Sequence, residues 1–196
     1  MALVLGGGIA CGGAVSQGDA NDASTAPVAE DPLAEAAEWW GRASPCPEGA
    51  ALSGSPPPAG TEILCQLEDG TRHGPRTAWH DPEHKAEEGY FHRGSLDGTQ
   101  LASFPEGRLK EESRYLRGQR EGRRVIYRPD GTKELEGEYR GGKETGVFTA
   151  YGAGGERSMT TEYQLGRKHG VEVEYQAEGR KKSETSYRGG VRHGPY

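Results

Sequence analysis

Three sets of side chains have types and spacing that bear on chemistry. His80, His84 and His92 crowd together with Asp81 and Glu83, the one place in the chain where metal-ligating or acid–base groups gather. The residue types suit a metal ion, but the sequence defines no geometry for one there, and Cys46 and Cys65 lack the paired spacing of a zinc site. His73, His169 and His193 each precede a glycine, but Asp97, Glu121 and Thr145 stand at the equivalent places. A metal or catalytic row does not tolerate that mixture, and turn-exposed histidines account for it. Glu88, Glu112, Glu136 and Glu184 form the third set, broken by Thr160. Such a row offers a site for a cation or a basic partner. The simpler reading is a solvated face neutralised by Lys and Arg on adjacent strands, at about 0–1 kcal/mol per exposed pair. The chain contains no nucleophile elbow, no P-loop and no His-Glu-x-x-His. No catalytic residue, metal or cofactor is assigned, no small-molecule substrate is evident, and the chain reads as a non-enzyme.

What positions these residues is a repeat. Gly74, Gly98, Gly122, Gly146, Gly170 and Gly194 fall 24 residues apart, and a second ladder runs in phase four residues earlier, from Gly70 to Gly190. A fixed period of this size means an array in which each unit leans on its neighbours. Within a unit, two strand-like runs are separated by turn chemistry such as Pro129-Asp130-Gly131, where proline presets φ and glycine accepts a positive one. Gly107, Gly155 and Gly179 repeat that turn glycine; the first copy has Glu83 instead and needs a different turn. Gly141-Gly142 and Gly189-Gly190 mark the return turn. Each copy is therefore a β-hairpin, and the hairpins join into an antiparallel meander.

Alternation agrees. Leu135, Gly137 and Tyr139 point one way, and Glu134, Glu136 and Glu138 the other. The second strand of every copy closes on a ring: Phe91, Tyr115, Tyr139, Tyr163 and Tyr187. Two residues before it the side chain is small, namely Gly89, Ser113, Gly137, Thr161 or Thr185, leaving room for a ring to lie across the sheet. The first strand contributes Trp79, Tyr127, Tyr151 and Tyr175, with Ser103 breaking the series. These nine rings read as the core stripe of a thin sheet, tyrosine packing its ring while its hydroxyl reaches water.

Gly-x-x-x-x-Tyr, a turn glycine, then Tyr-x-x-Gly-x-x-x-Gly resembles the MORN-type repeat, in the variant of the bacterial YwqK antitoxin-like family. The pattern is cleanest at Tyr151, Gly155, Tyr163 and Gly166, and at Tyr175, Gly179, Tyr187 and Gly190, and it covers roughly Gly70 to Tyr196. The resemblance implies scaffolding, membrane apposition, lipid contact or an antitoxin role, and brings no catalytic residues. The expected fold is all-β: one elongated antiparallel sheet of about ten or eleven strands, roughly 50 Å long at about 4.8 Å per strand. Five copies (74–97, 98–121, 122–145, 146–169 and 170–193) precede a terminal stub.

The front of the chain differs. Residues 1–70 hold ten acids and one base, whereas residues 71–196 hold 23 bases and 20 acids. The near balance in the repeats argues against nucleic acid, which wants a basic stripe. Residues 1–11 look like the end of a secretory signal. Gly8-Ile9-Ala10-Cys11 resembles a bacterial lipobox, although Gly8 stands where leucine is usual and no basic region precedes it. This implies lipidation at Cys11 and a true start upstream of Met1; the alternative is an ordinary apolar N-terminus with a free cysteine. Residues 12–44 read as a flexible, disordered linker with a short helix over 32–40, Asp31 capping and Pro32 leading. Residues 45–73 form an N-terminal cap. If the chain is exported, its two remaining cysteines, Cys46 and Cys65, suggest a disulfide, worth about 3 kcal/mol by loop entropy. The alternative is two free thiols in a cytoplasmic protein.

These readings combine into a protein-interaction or scaffold module, held on the cell envelope by a lipid anchor at Cys11 and meeting an unidentified protein partner. The alternative is a cytoplasmic antitoxin-like or immunity-like binder, which requires Met1 to be the true start and the cysteines to be reduced.

Overall fold

The computed structural model describes residues 38–194. The segment 1–11 with Cys11, the linker to residue 37, most of the expected helix and the last two residues lie outside that range.

The described chain is a single open antiparallel sheet of fourteen strands. In chain order they are β1 (Ala51–Ser55), β2 (Glu62–Gln66), β3 (Arg72–Trp79), β4 (Lys85–His92), β5 (Ser95–Leu96), β6 (Gly98–Ser103), β7 (Leu109–Leu116), β8 (Gln119–Tyr127), β9 (Lys133–Arg140), β10 (Lys143–Tyr151), β11 (Arg157–Gln164), β12 (Arg167–Tyr175), β13 (Lys181–Arg188) and β14 (Val191–Arg192). Neighbours in sequence are neighbours in the sheet, except that both β5 and β6 pair with β4. The expected meander of hairpins is present, with more strands than the ten or eleven expected. The cap accounts for part of the excess. Ala51–Ser55 precedes a proline-rich turn and reads as loop, yet it pairs in register with β2, Leu52 opposite Cys65. The 32–40 helix also needs correction at its visible end: Trp39–Gly41 is a single 3-10 turn.

Two kinds of turn alternate along the chain. On one margin, Gly107, Gly131, Gly155 and Gly179 each donate an amide to the carbonyl three residues back. The first copy solves the same corner without glycine, through the Asp81 carboxylate, which accepts the amides of Glu83 and His84 at 2.9 Å. On the other margin the return turns have two central residues with positive φ, as in Arg117-Gly118, Gly141-Gly142 and Leu165-Gly166. This is the type I′ geometry that matches strand twist. Leu165 sits there at φ +52 with 63% of its surface exposed, so it carries left-handed strain without a packing reward. Leu165→Gly is expected to raise stability by about 0.5–1 kcal/mol, read as a higher urea midpoint at unchanged slope.

The return turns also close each copy on itself. The amides of Gly94, Gly118, Gly142, Gly166 and Gly190 donate to the carbonyls of Arg72, Leu96, Arg120, Glu144 and Lys168, at 2.7–3.0 Å. Each bond ties a turn to the strand that opened its own copy, so the latch recurs with the period of the sequence.

The 74-to-194 glycine ladder reads as turn glycines, and the structure places it elsewhere. Gly74, Gly98, Gly122, Gly146 and Gly170 lie within or at the start of strands. There the register slips against the preceding strand: Thr145 faces Glu138 and Thr149 faces Glu136, so β10 spends four residues where β9 spends two. Gly74 shows what the backbone needs. Its φ is +116, and a Cβ would lie 2.6 Å from Pro47 and 2.9 Å from Cys65.

The core is thin. The face carrying Tyr139 buries Leu64, Phe91, Ser113, Tyr139, Phe148 and Thr161. The opposite face buries Ile63, Cys65, Thr77, Val125 and Val173. Among the described residues, a second layer forms only over β2 and β3. Trp39, Ile63 and Cys65 make a small cluster with Trp40, Cys46, Ala50 and Trp79 packed on it. Trp40 meets Trp39 and Trp79 edge-on at 5.7 and 5.4 Å, and the Trp39 indole donates to the buried Thr77 hydroxyl at 3.0 Å. Cys46 and Cys65 are bonded, with Cα atoms 5.5 Å apart.

Candidate functional site

The nine rings do not form one stripe. Phe91, Tyr115, Tyr139, Tyr163 and Tyr187 share one face, called here the ring face. Trp79, Tyr127, Tyr151 and Tyr175 lie on the other side, each two residues beyond Thr77, Val125, Thr149 or Val173 on that same face, and there Tyr151 donates its hydroxyl to Glu136. Phe91 and Tyr139 are buried and the other seven are half-buried. A one-layer sheet has no interior to hide them.

Gly74, Gly98, Gly122, Gly146 and Gly170 each open a copy and are called step glycines here; on the ring face, the residue two before a step glycine stands at the closing ring of the copy that the glycine opens. Arg72 holds its guanidinium 5.4 Å from the Phe91 centroid. Arg120 lies between Tyr115 and Tyr139, at 5.8 and 5.6 Å. The Lys168 ammonium is 5.0 Å from Tyr187. Leu96 and Glu144 hold the same position in the second and fourth copies. Cations over rings in this range attract them by about 0.5–1 kcal/mol where exposed.

The residue two after each step glycine sits over the small residue of the next strand: Arg76 faces Gly89, Arg124 faces Gly137 across β8–β9, and Phe148 faces Thr161. Here the chain varies most. Arg76 bonds Glu62 and, at 2.6 Å, Glu87. Arg124 makes two bonds to Glu111, at 2.9 and 3.0 Å, which push its already high pKa further up. Phe148 instead lays its ring on Gly137 and meets Tyr139 and Tyr163 edge-on, at 5.4 and 5.1 Å. Gly137, the small residue beside Tyr139, thus makes room for a ring from the neighbouring strand. Phe148, Leu135, Met159 and the two tyrosines enclose a depression of about 280 Å³, with Arg124 and Glu144 on its lining. Phe148 escaped the sequence reading because Arg, Gln, Arg and Glu occupy its place in the other copies; its being the one ring there was the available signal.

The glutamate row lies on the other face, and three of its four members, Glu88, Glu136 and Glu184, are neutralised from their own strands. A bulge brings the residue three before the glutamate alongside it. Lys85 bonds Glu88 at 2.6 Å, Lys133 bonds Glu136 at 2.8 Å, and Lys181 bonds Glu184. Where Thr160 replaces glutamate, Arg157 stacks on Tyr175 at 4.5 Å instead. Glu136 collects most: Lys133, the Tyr151 hydroxyl and Arg123 at 3.1 Å together hold its carboxyl at about 2. A folded pKa below the unfolded value of 4.5 gives stability that is fully present above about pH 4.5 and fades as pH falls towards 2. Glu136 keeps 26% of its side chain exposed, so screening reduces the contribution to about 1–2 kcal/mol. Glu136→Gln is therefore expected to lower the urea midpoint at pH 7 and to converge on the parent chain as pH falls through 2.

The histidines do not converge. His80 Nε2 is 2.9 Å from the Ser103 carbonyl, and His84 Nδ1 is 2.9 Å from Asp81. That contact raises the His84 pKa and lowers that of Asp81. His92 meets His73 edge-on at 5.0 Å. Among the described residues, no three His, Cys, Asp or Glu side chains are grouped to hold a metal ion. The mixed position before the step glycine has a shared role as an acceptor for the return turn. His73 Nδ1 accepts the Arg93 amide at 3.2 Å, Glu121 the Gly141 amide at 2.7 Å, and His169 Nδ1 the Gly189 amide at 3.4 Å. A second cleft, about 320 Å³, opens where the cap meets the sheet, between Trp39, Pro45, Pro47, Pro75 and Tyr90.

The fold and these surfaces define the chain as an open, all-β repeat array. No protein-family profile matches it, and no curated protein does. A solved structure, the glycosylation associate protein (Gap123) complex from Streptococcus agalactiae, is similar over 65% of this chain and 19% of that one, at 16% identity and a TM-score of 0.30. The match spans about a fifth of that chain's length.

Proposed function

We propose that this chain is a non-enzymatic interaction module of MORN type, carried on a bacterial cell envelope by a lipid at Cys11, and that its repeat sheet is the surface a protein partner meets. The Cys46–Cys65 bond carries this reading. It fastens the front segment to β2 of a sheet with little other core, and such bonds persist in oxidising compartments. The exposed array supports the binding half of the reading. Its charged side chains mostly neutralise one another within the sheet, which leaves shape and a few unpaired groups to select a partner.

Intact mass of the protein from its own host, with and without reductant, tests the anchor. A diacyl or triacyl adduct beginning at Cys11, with a two-proton gain on reduction, is the expected result. A chain that keeps its leader unmodified, with no change on reduction, would sink the envelope assignment and leave a cytoplasmic binder.

A further inference from the structure

On the ring face, the slots between successive closing rings are filled by the chain itself. Arg72 lies at Phe91, Leu96 opens the next slot, Arg120 lies between Tyr115 and Tyr139, and Lys168 stands opposite Tyr163 and over Tyr187. The slot between Tyr139 and Tyr163 breaks the series, because Glu144 stands directly opposite Tyr139 where the flanking slots place Arg120 and Lys168. No cation lies over the Tyr163 ring among the described residues, and the Glu144 carboxylate has no hydrogen bond or ion pair there, although Glu62, Glu87, Glu111 and Glu172 on the same face are all paired. Ring faces are electronegative, so a carboxylate between two tyrosines is a poor neighbour unless a cation joins it. The same slot opens onto a depression with a third ring, Phe148, and a Met159 wall. Arg124, on the far side, is neutralised by its two bonds to Glu111.

We propose that this pocket takes the alkylammonium end of a lysine side chain from a protein partner, its methylenes on Phe148 and Met159 and its ammonium between Tyr163 and Glu144. The partner thus supplies the cation that Arg120 and Lys168 supply in the flanking slots. A primary ammonium suits the site better than a quaternary one, since Glu144 accepts hydrogen bonds that only N–H can donate. The proposal rests on the array being a binding surface and names the group that it binds.

The test follows the ring signals of Tyr139, Phe148 and Tyr163 by NMR in the full chain, titrated with n-butylammonium, n-butanol or tetramethylammonium. The expected result is a saturable shift with n-butylammonium, about five-fold tighter than with n-butanol or tetramethylammonium. Glu144→Gln should weaken it by about five-fold. Glu144→Lys, which rebuilds the flanking layout, should abolish it while the unfolding midpoint holds. Equal binding of n-butanol would reduce the pocket to an apolar dent, and tighter tetramethylammonium would replace the lysine with a quaternary headgroup; either overturns the proposal. So does the lack of a saturable shift up to about 200 mM, or binding that survives in a folded Glu144→Lys chain. The probe comparison on the parent chain needs no variant to fold. A chain that captures a protein partner by cross-linking but ignores n-butylammonium loses this pocket and keeps its function as an interaction module.

Discussion

Gly137→Val is expected to cost about 3 kcal/mol or more, the largest effect of any single substitution on the ring face. A Cβ at this position would lie 2.4–2.6 Å from three ring atoms of Phe148. The ring cannot yield, because Tyr139 and Tyr163 meet it edge-on from both sides. The clash must then open the β9–β10 pairing where the register slip already leaves Gly137 opposite the bulge. Urea unfolding of the variant measures the loss. Adding Phe148→Ala should recover part of it, since the smaller side chain vacates the space while losing its own burial. If the double variant is no more stable than the single one, the glycine is needed for its backbone and not for the ring above it.

Loss of the Cys46–Cys65 bond ranks second, at about 3 kcal/mol for a loop with a sequence separation of 19. The energy is not spread evenly. The bond holds the 3-10 turn at Trp39–Gly41 and the Pro45–Pro47 stretch against β2 and β3, and beneath it lies the apolar cluster that two layers form there. Cys46→Ser with Cys65→Ser should expose Trp39 and Trp79, red-shifting tryptophan emission at denaturant concentrations where the far-ultraviolet signal of the later strands is unchanged. A single transition shared by both signals would mean that cap and array unfold as one unit.

Much of the fold was legible in the sequence because its devices are chemical and periodic. Proline and glycine at fixed offsets define the hairpins, and alternation defines the two faces, as at Leu135, Gly137 and Tyr139. What escaped depends on register. Bulges in the second strands, opposite Trp79, Tyr127, Tyr151 and Tyr175, leave those rings on the face that alternation along their own strands assigns and shift the residues that face them, such as Lys133 opposite Tyr127. The same bulges bring Lys133 beside Glu136 on one strand, a pairing that reads from sequence as a contact between strands. Ala51–Ser55 was missed because an edge strand needs only one partner and no apolar pattern of its own. The position before the step glycine looked incoherent when judged by what histidine can ligate. It becomes coherent once His73, Glu121 and His169 are seen accepting the same turn amide. The Glu144 slot was hidden for a related reason: a lone acid in a charged sequence is unremarkable until its neighbours are seen to be paired.

The latches between each return turn and the strand that opened its copy have a mechanical side. Each ties residues only 22 apart, from Arg72 to Gly94 through to Lys168 to Gly190, so no contact of this kind reaches beyond one copy. Pulled or warmed, such a sheet sheds its load one hairpin at a time, like a zip with a stop at one end. The stop is the disulfide-pinned tryptophan layer over β2 and β3; at the other end of the described sheet, the outer side of β13 pairs with only the two residues of β14. Amide exchange should accordingly grade along the described strands, slowest beside Thr77 and fastest past Lys181, the array opening in steps of one period from β13 towards β2.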